Sequence, residues 1–550
     1  MIETIKVKVK NKEISIPNKT TLYDLSKEFQ DDFKFPIIIA KVGGHLKELS
    51  YKLKDNDEIE FIDLTTKEGN RCHIKGLIFV LLTAVKELYG SKYDLRIEHS
   101  LDKGIYIESN FVLTESRLAQ IKNKMLEIIN ENRPISKLNV DRLEAIEYFN
   151  LIGDKSKEGI IKYNTNTYIT LYKLGKSYNY FYSKMPISTG VLNYFDIDLL
   201  SQNGLILRFP TIYINDHIKE YTPRPNMFKV FADCRKWSKL MNIENSTELN
   251  DIVSKGSIDE LIRITETKQS NELLKVAEEI YNNKDIKIIL IAGPSSSGKT
   301  TTSRKICMYL RSFGLNPSAI SMDDYFVEKD ENPIGEDGKP DYECLEAVDL
   351  NLFDKQVGQL LNNEEVKIPT FNFILGTKEY KKTIKLQEKD ILVIEGIHAL
   401  DDRILTNIPR EKKYKMYISA LTELNIDNHN RISTSDNRLL RRIIRDNKTR
   451  GHSVEATLES WASVRNGEEK HIFPYQCEGD YTFNTALIYE IGVLKTYVEP
   501  LLYSVNPASP YYEEAKRLLD FLKLFLPIPA DAVPQDSLLR EFIGGSCFSE

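Results

Sequence analysis

The chain switches between two hydrophobic spacings, and the changes of period mark its parts. Ile5-Lys-Val-Lys-Val9 alternates apolar with charged residues, and Ile14 and Ile16 continue the alternation after an Asn11-Lys12 turn. A period of two fits half-buried strands. Residues 21–29 read instead as a short amphipathic helix with Thr20 or Thr21 as its cap. Residues 36–42 and 57–63 return to strand patterning around Gly43-Gly44, so residues 1–64 form one compact unit. Residues 77–89 have helical spacing, and residues 186–190 and 204–210 are strand signals bounded by turns. Residues 236–284 are polar and helical and read as a connector packed on the unit that begins near residue 285; residues 251–280 are open to a second reading as lid-like helices.

From residue 286 the pattern becomes continuous apolar runs flanking polar loops. Ile286-Lys-Ile-Ile-Leu-Ile-Ala292 is a strand that feeds Gly293, Pro294, Ser295, Ser296, Ser297, Gly298, Lys299 and Thr300, which fit G-x-x-x-x-G-K-[ST] at every specified position. Holding a triphosphate takes many backbone N–H groups at once, and glycine allows the close approach and positive φ that this requires. The helix after the loop, through Thr301 to Gly314, turns its N-terminal dipole toward the anion. This pattern predicts Lys299 against the β/γ-phosphates and the Thr300 hydroxyl on Mg²⁺. An accidental Gly/Ser turn is the competing reading, and the strand in front of it counts against that.

Three further elements come after the loop. Ser318-Ala-Ile-Ser321 is a strand with Asp323, Asp324 and Tyr325 just past its end, where ligands of doubly wound sheets bind. One of the two aspartates can take a proton from an attacking hydroxyl; a solvated acidic turn is the alternative. Asp390-Ile-Leu-Val-Ile-Glu395 is a buried parallel strand that ends in a carboxylate suited to act on Mg²⁺, or simply to cap. Arg438, Arg441, Arg442 and Arg445 fall at i, i+3, i+4 and i+7, on one helix face. Four guanidiniums so close need anions between them, and phosphates are the expected ones. A solvated basic face or an RNA contact are the other readings.

Composition narrows the picture little. Against 75 Lys and Arg stand 81 Asp and Glu, a net charge of −6 that argues against a broadly basic nucleic-acid binder. Six cysteines without any C-x-x-C read as reduced, mostly buried thiols. No signal peptide or membrane-spanning run is visible, so a cytoplasmic protein with no membrane partner is expected, and a homo-oligomer is the expected assembly.

Several stretches carry family resemblances. Thr21-Leu-Tyr-Asp-Leu25, Ala40-Lys-Val-Gly-Gly44 and Leu53-Lys-Asp-Asn-Asp-Glu-Ile59 resemble the TGS domain of threonyl-tRNA synthetases, a ubiquitin-like β-grasp fold. Residues 65–235 resemble the second additional domain of threonyl- and alanyl-tRNA synthetases, an α+β module, through residues 77–89 and 95–107. The synthetases' H-x-x-x-H is missing: the candidate pairs are Lys75 with Phe79 or Phe79 with Thr83, so their editing chemistry is not expected, and His73 and His99 read as surface or hydrogen-bonded residues rather than catalysts. Residues 285–550 form the last unit, and over about residues 285–500 it resembles the uridine kinase/phosphoribulokinase family of α/β P-loop kinases, a parallel sheet with helices on both faces, followed here by a helical tail. The phosphate loop, Ile320-Ser-Met-Asp-Asp-Tyr-Phe326, Asp341-Tyr-Glu-Cys-Leu-Glu-Ala-Val-Asp349, Ile368-Pro-Thr-Phe-Asn-Phe373, Ile394-Glu-Gly-Ile397 and the arginine helix carry this resemblance. It implies ATP and Mg²⁺, Asp323 as general base, Glu395 with Thr300 at the metal, and Lys299, Arg441 and Arg445, with Arg438 and Arg442, on phosphates. Asp324, Tyr325, Tyr342, Glu343 and Phe371 are then the expected acceptor-side residues. Phe371 stands where uridine kinases have a tyrosine, and Gly376 or its neighbours where they have a histidine. The expected reaction moves the γ-phosphoryl of ATP to the 5′-hydroxyl of a nucleoside. The rivals are a kinase of another metabolite, such as a sugar phosphate, and an ATP-gated protein whose front half docks on RNA or protein.

Overall fold

The computed structural model describes residues 3–10, 12–335, 338, 340–372, 375–387 and 389–548. Asn11 of the expected first turn and Phe373 of the expected motif lie outside these. At the front, β1 (Thr4–Val9), β2 (Lys12–Pro17), α1 (Leu22–Ser26), β3 (Ile39–Val42), β4 (His45–Glu48) and β5 (Glu58–Ile62) form a five-stranded sheet. Its order is β2-β1-β5-β3-β4, with β1 and β5 parallel. Thr21 caps α1 in a reciprocal box with Asp24, which selects it over Thr20.

The long helix α2 (Lys67–Tyr89) begins ten residues before its apolar stretch, because Thr66 accepts the Gly69 amide and starts it. Its core joins Ile38, Ile39 and Ile62 of the front sheet to β6 (Leu95–Leu101), β7 (Gly104–Ser109) and α3 (Glu115–Asn130). After β8 (Ile135–Asp141), α4 (Arg142–Leu151), α5 (Lys155–Tyr163), β9 (Tyr168–Leu174) and β10 (Ser177–Asn179) come β11 (Asp196–Ser201) and β12 (Gly204–Arg208). These strands make two antiparallel sheets, β10-β9-β8 and β11-β12-β7-β6. Residues 186–190 are not the expected strand: Ser188 makes one isolated bridge to Pro134, and a 3₁₀ turn, Thr189–Val191, comes next.

The connector is three helices, α6 (Pro225–Met241), α7 (Ser246–Ser254) and α8 (Ile258–Asn282). α8 is no lid. Leu273, Val276 and Ala277 pack with Ile289 and Ile291 under the next sheet. That sheet has the order β14-β17-β13-β18-β21, all parallel, from β13 (Ile288–Ala292), β14 (Asn316–Ser321), β17 (Asp390–Glu395), β18 (Lys413–Ser419) and β21 (Tyr481–Asn484). β13 is buried on both faces: Ile288, Leu290 and Ala292 enter one core, Ile289 and Ile291 another. α9 (Lys299–Ser312) comes after β13, and α10 (Leu350–Leu361) and the hairpin β15 (Glu365–Asn372)/β16 (Thr377–Lys385) lie between β14 and β17.

The hairpin β19 (Asn425–Asp427)/β20 (Asn430–Arg431) reaches into the front half, where the Asn428 carbonyl accepts the Ile97 amide at 2.8 Å and Asp427 lies 3.5 Å from Lys157. α11 (Thr434–Arg450), α12 (Val454–Gly467), α13 (Glu490–Tyr503), α14 (Tyr512–Leu522) and α15 (Arg540–Ile543) complete the chain. Leu439, Leu440 and Ile443 of α11 share one core with Ile160, Ile161 and Leu171 of the front half. All six cysteines are free thiols, four of them buried. No helix among the described residues is long and apolar enough to cross a membrane.

Candidate active site

The loop between β13 and α9 takes two left-handed residues, Ser296 (φ 58°) and Gly298 (φ 88°), to turn its amides inward. Gly293 is required for a different reason: a Cβ there would lie 2.2 Å from the Ile418 carbonyl oxygen of β18. Among the described residues, the amides of Ser296, Gly298, Lys299 and Thr300 meet no protein acceptor, so four donors remain at the start of a fourteen-residue helix. That donor set fits an oligophosphate. The Lys299 ammonium folds back on the loop, donating to the carbonyls of Gly293 at 3.0 Å and Pro294 at 3.3 Å.

Glu395 ends β17 in register with both Ile291 of β13 and Ser321 of β14, so the sheet itself delivers the carboxylate to the loop. Its Oε1 accepts the Thr300 hydroxyl at 3.3 Å and the Ser321 hydroxyl at 3.0 Å. Burial and then the neighbouring Asp323 carboxylate push Glu395 up to about 7. A carboxylate and two hydroxyls are the hard oxygen donors that Mg²⁺ prefers. Asp323 is the second residue of the 3₁₀ turn Met322–Tyr325 after β14, its amide held by the Ser321 hydroxyl at 3.3 Å.

The arginine face is arranged differently from the expectation. The anions between the guanidiniums are carboxylates of the protein. Arg438 forks onto Glu468, and Arg441 onto Glu490; all four side chains are at most 2 % exposed. Asp446, itself buried, takes Arg442, Arg445 and Arg450 at 3.1–3.4 Å. Arg438 and Arg441 therefore brace the loop from behind, donating to the Ser295 carbonyl at 3.0 Å and the Ser296 carbonyl at 3.5 Å. Arg442 reaches the Ser295 hydroxyl at 2.9 Å.

The acceptor-side residues divide. Tyr325 is core: fully buried, it donates to Gln356 at 2.9 Å and meets Phe353 edge-on. Phe371 is buried against Phe326, and Asp324 accepts the Phe371 amide at 3.2 Å, which ties β15 to the turn after β14. Burial raises Asp324 above the usual carboxylate range. Tyr342, 39 % exposed, lies at the rim beside Phe326. Glu343 has an unpartnered buried Oε2, and burial and then Glu468 push it up to about 7.

Two carboxylates at the loop escape sequence reasoning. Glu468, in a five-residue π-helical stretch, accepts the Ser295 amide at 3.1 Å. Glu541 of the tail accepts the Thr301 amide at 3.1 Å, in the first turn of α9. A four-arginine face demands counter-charges, and that demand is the one signal that points toward Glu468 and Glu490. Nothing local marks Glu541.

The phosphoribulokinase/uridine kinase family model matches residues 288–486. The uridine kinase of Bacillus pumilus (strain SAFR-032) is 30% identical over 177 residues, 32% of this chain and 75% of that protein. That of Staphylococcus carnosus (strain TM300) is 31% identical over 177 residues, again 32% of this chain and 76% of that protein. The chain belongs to the phosphoribulokinase/uridine kinase family. Its sheet of five parallel strands is thus the scaffold of a kinase, a phosphotransferase, and the family implies ATP. The match covers the sheet and the loop, up to two residues past β21; the front half and the tail lie outside it.

Proposed function

We propose that this protein is an ATP- and Mg²⁺-dependent kinase that phosphorylates the 5′-hydroxyl of a nucleoside. The observation that carries the reading is the pair of acids beside one phosphate loop with free amides: Glu395, which ends β17 and accepts the Thr300 hydroxyl, and Asp323, just past the neighbouring β14 and near enough to raise Glu395. Bound ATP·Mg²⁺ would supply the phosphoryl group and offset its charge. Glu395 and Thr300 would hold the metal, and the loop amides with Lys299 would hold and orient the phosphates. Asp323 would accept the proton of the attacking hydroxyl. Arg438 and Arg441 keep the loop in shape for this; Arg442 and Arg445, 11 % and 17 % exposed, are the arginines nearest to a phosphate-contacting role. Tyr342 and Glu343 would form the acceptor rim, and the names of the relatives favour a pyrimidine nucleoside. The front sheet order β2-β1-β5-β3-β4 supports reading residues 1–64 as a TGS-like β-grasp module.

The test is phosphoryl transfer from ATP to a panel of nucleosides and sugar phosphates, with Asp323→Asn beside the wild type. A nucleoside should be the best acceptor. The variant should bind ATP normally and lose about 10²–10⁴-fold in turnover. Near-normal turnover would remove Asp323 as the base, and preference for a sugar phosphate would replace the nucleoside as acceptor.

A further inference from the structure

A second cavity, of about 580 Å³, lies between the front half and the kinase sheet, within the size range of small-molecule sites. Lys299, Thr300, Asp323 and Glu395 do not line it; of the phosphate-loop residues and their braces it touches Arg438 alone. Ten lining residues are Lys or Arg and three are Asp or Glu, a marked excess for an interior space. Seven of the ten cations are compensated: Arg71 by Glu514, Arg517 by Asp436 and Glu514, Arg438 and Arg465 by Glu468, Lys103 by Glu469, and Lys219 and Arg224 by Asp102.

Lys67, Lys75 and Arg431 are not. Among the described residues none of the three has a carboxylate at ion-pair distance. Lys75 donates to the Asn430 side chain at 3.0 Å and lies over the rings of Phe181 and Tyr182. Arg431 donates to the Ser100 hydroxyl at 2.8 Å. Burial holds all three below their ordinary pKa, Lys75 down to about 8, and outweighs the more distant carboxylates that pull the other way, Glu514 and Asp436 on Lys67, Asp427 on Lys75 and Asp436 on Arg431. The Ser183 hydroxyl, closed off from solvent in the same lining, meets no partner among the described residues. Ser433, Thr434 and Ser435 bring in the N-terminus of the seventeen-residue helix α11; the Ser433 hydroxyl meets that of Ser435 at 2.7 Å rather than capping the helix, and the Asp436 carboxylate in the same first turn is taken by Arg517. Ile74, Ile78 and Phe209 supply apolar wall.

We infer that this cavity is a binding site for a small phosphomonoester, its phosphate set among Lys67, Lys75, Arg431 and the first turn of α11, its organic part against the apolar wall. A phosphomonoester carries about two negative charges near neutral pH and three acceptor oxygens, which match three cations, hydroxyl donors and a helix N-terminus. Lys75 lies on α2, and Arg431 and Ser433 come from the kinase half, so the ligand bridges the two.

The experiment is calorimetric titration of the full chain with inorganic phosphate and with a nucleoside 5′-monophosphate. It compares the wild type, the double variant Lys75→Met with Arg431→Gln, and Lys299→Met, with Tm measured for each. Binding should survive Lys299→Met and weaken at least about tenfold in the double variant. Without phosphate the double variant should melt at or above the wild type, because like charges have been removed. The inference is overturned by no binding at millimolar ligand, or by binding lost in Lys299→Met but kept in the double variant. It is also overturned by a lower Tm in the double variant.

Discussion

Replacing Glu395 by Gln keeps the shape of a buried side chain and removes its charge. In the wild type Oε1 accepts the Thr300 and Ser321 hydroxyls, and the amide oxygen of a glutamine can accept both. Only the ionisation changes. Burial and Asp323 carry Glu395 from 4.5 to about 7, and at about 1.4 kcal/mol per pH unit that makes ionisation costly by on the order of 3 kcal/mol. A carboxyl whose folded pKa lies above its unfolded one contributes stability that is complete below about 4.5 and lost as pH rises through about 7. At pH 8 without metal, Glu395→Gln should therefore be the more stable protein, by up to about 3 kcal/mol. That reads as about 6–12 °C in Tm for a unit of roughly 200 residues. At pH 4, below the unfolded value, the two should melt together. Mg²⁺ with ATP should reverse the order at pH 8, since the ligand stabilises the form that holds it and the variant has lost the metal carboxylate. The assay is Tm across this pH range with and without Mg²⁺·ATP. Equal Tm values at pH 8 without metal would refute the charge penalty, and an undiminished Mg²⁺·ATP gain in the variant would remove Glu395 from the metal.

Two other substitutions probe the loop from behind and from the tail. Arg438→Met leaves Glu468 buried with Arg465 alone and should cost about 3 kcal/mol in denaturant unfolding, with weaker ATP binding as a consequence; a loss of kcat at unchanged stability would return Arg438 to phosphate contact. Glu541→Gln weakens the hold of a carboxylate on the Thr301 amide and should tighten ATP by up to about tenfold in calorimetry. Unchanged affinity would show that this amide lies outside the phosphate path.

How much of the molecule is legible in its sequence depends on distance along the chain. Strand β13, its loop and the carboxylates Asp323 and Glu395 are local patterns, since each acid lies within a few residues of its own strand. The helical face of the four arginines is local too, but Glu468 and Glu490, which neutralise Arg438 and Arg441, arrive from 30 and 49 residues away. Without those partners, buried braces look like phosphate contacts. Tyr325 misleads for a related reason: it stands directly after two site acids, but the 3₁₀ turn rotates it inward onto Phe353. The early start of α2 rests on one cap at Thr66, ahead of the hydrophobic repeat. The cationic cavity is assembled from α2, the β6–β7 turn and the start of α11, and no window of sequence contains all three.

The interior shared by α11 and the front half bears on how this protein can be taken apart. Leu439, Leu440 and Ile443 are fully buried in one hydrophobic core that also contains Ile160, Ile161 and Leu171. A chain begun at residue 285 would turn part of that seam to water, and a contiguous apolar face of this kind invites aggregation. Transplanting the kinase without its front half would thus move it without a share of its own interior, at the helix whose arginines hold the phosphate loop in place.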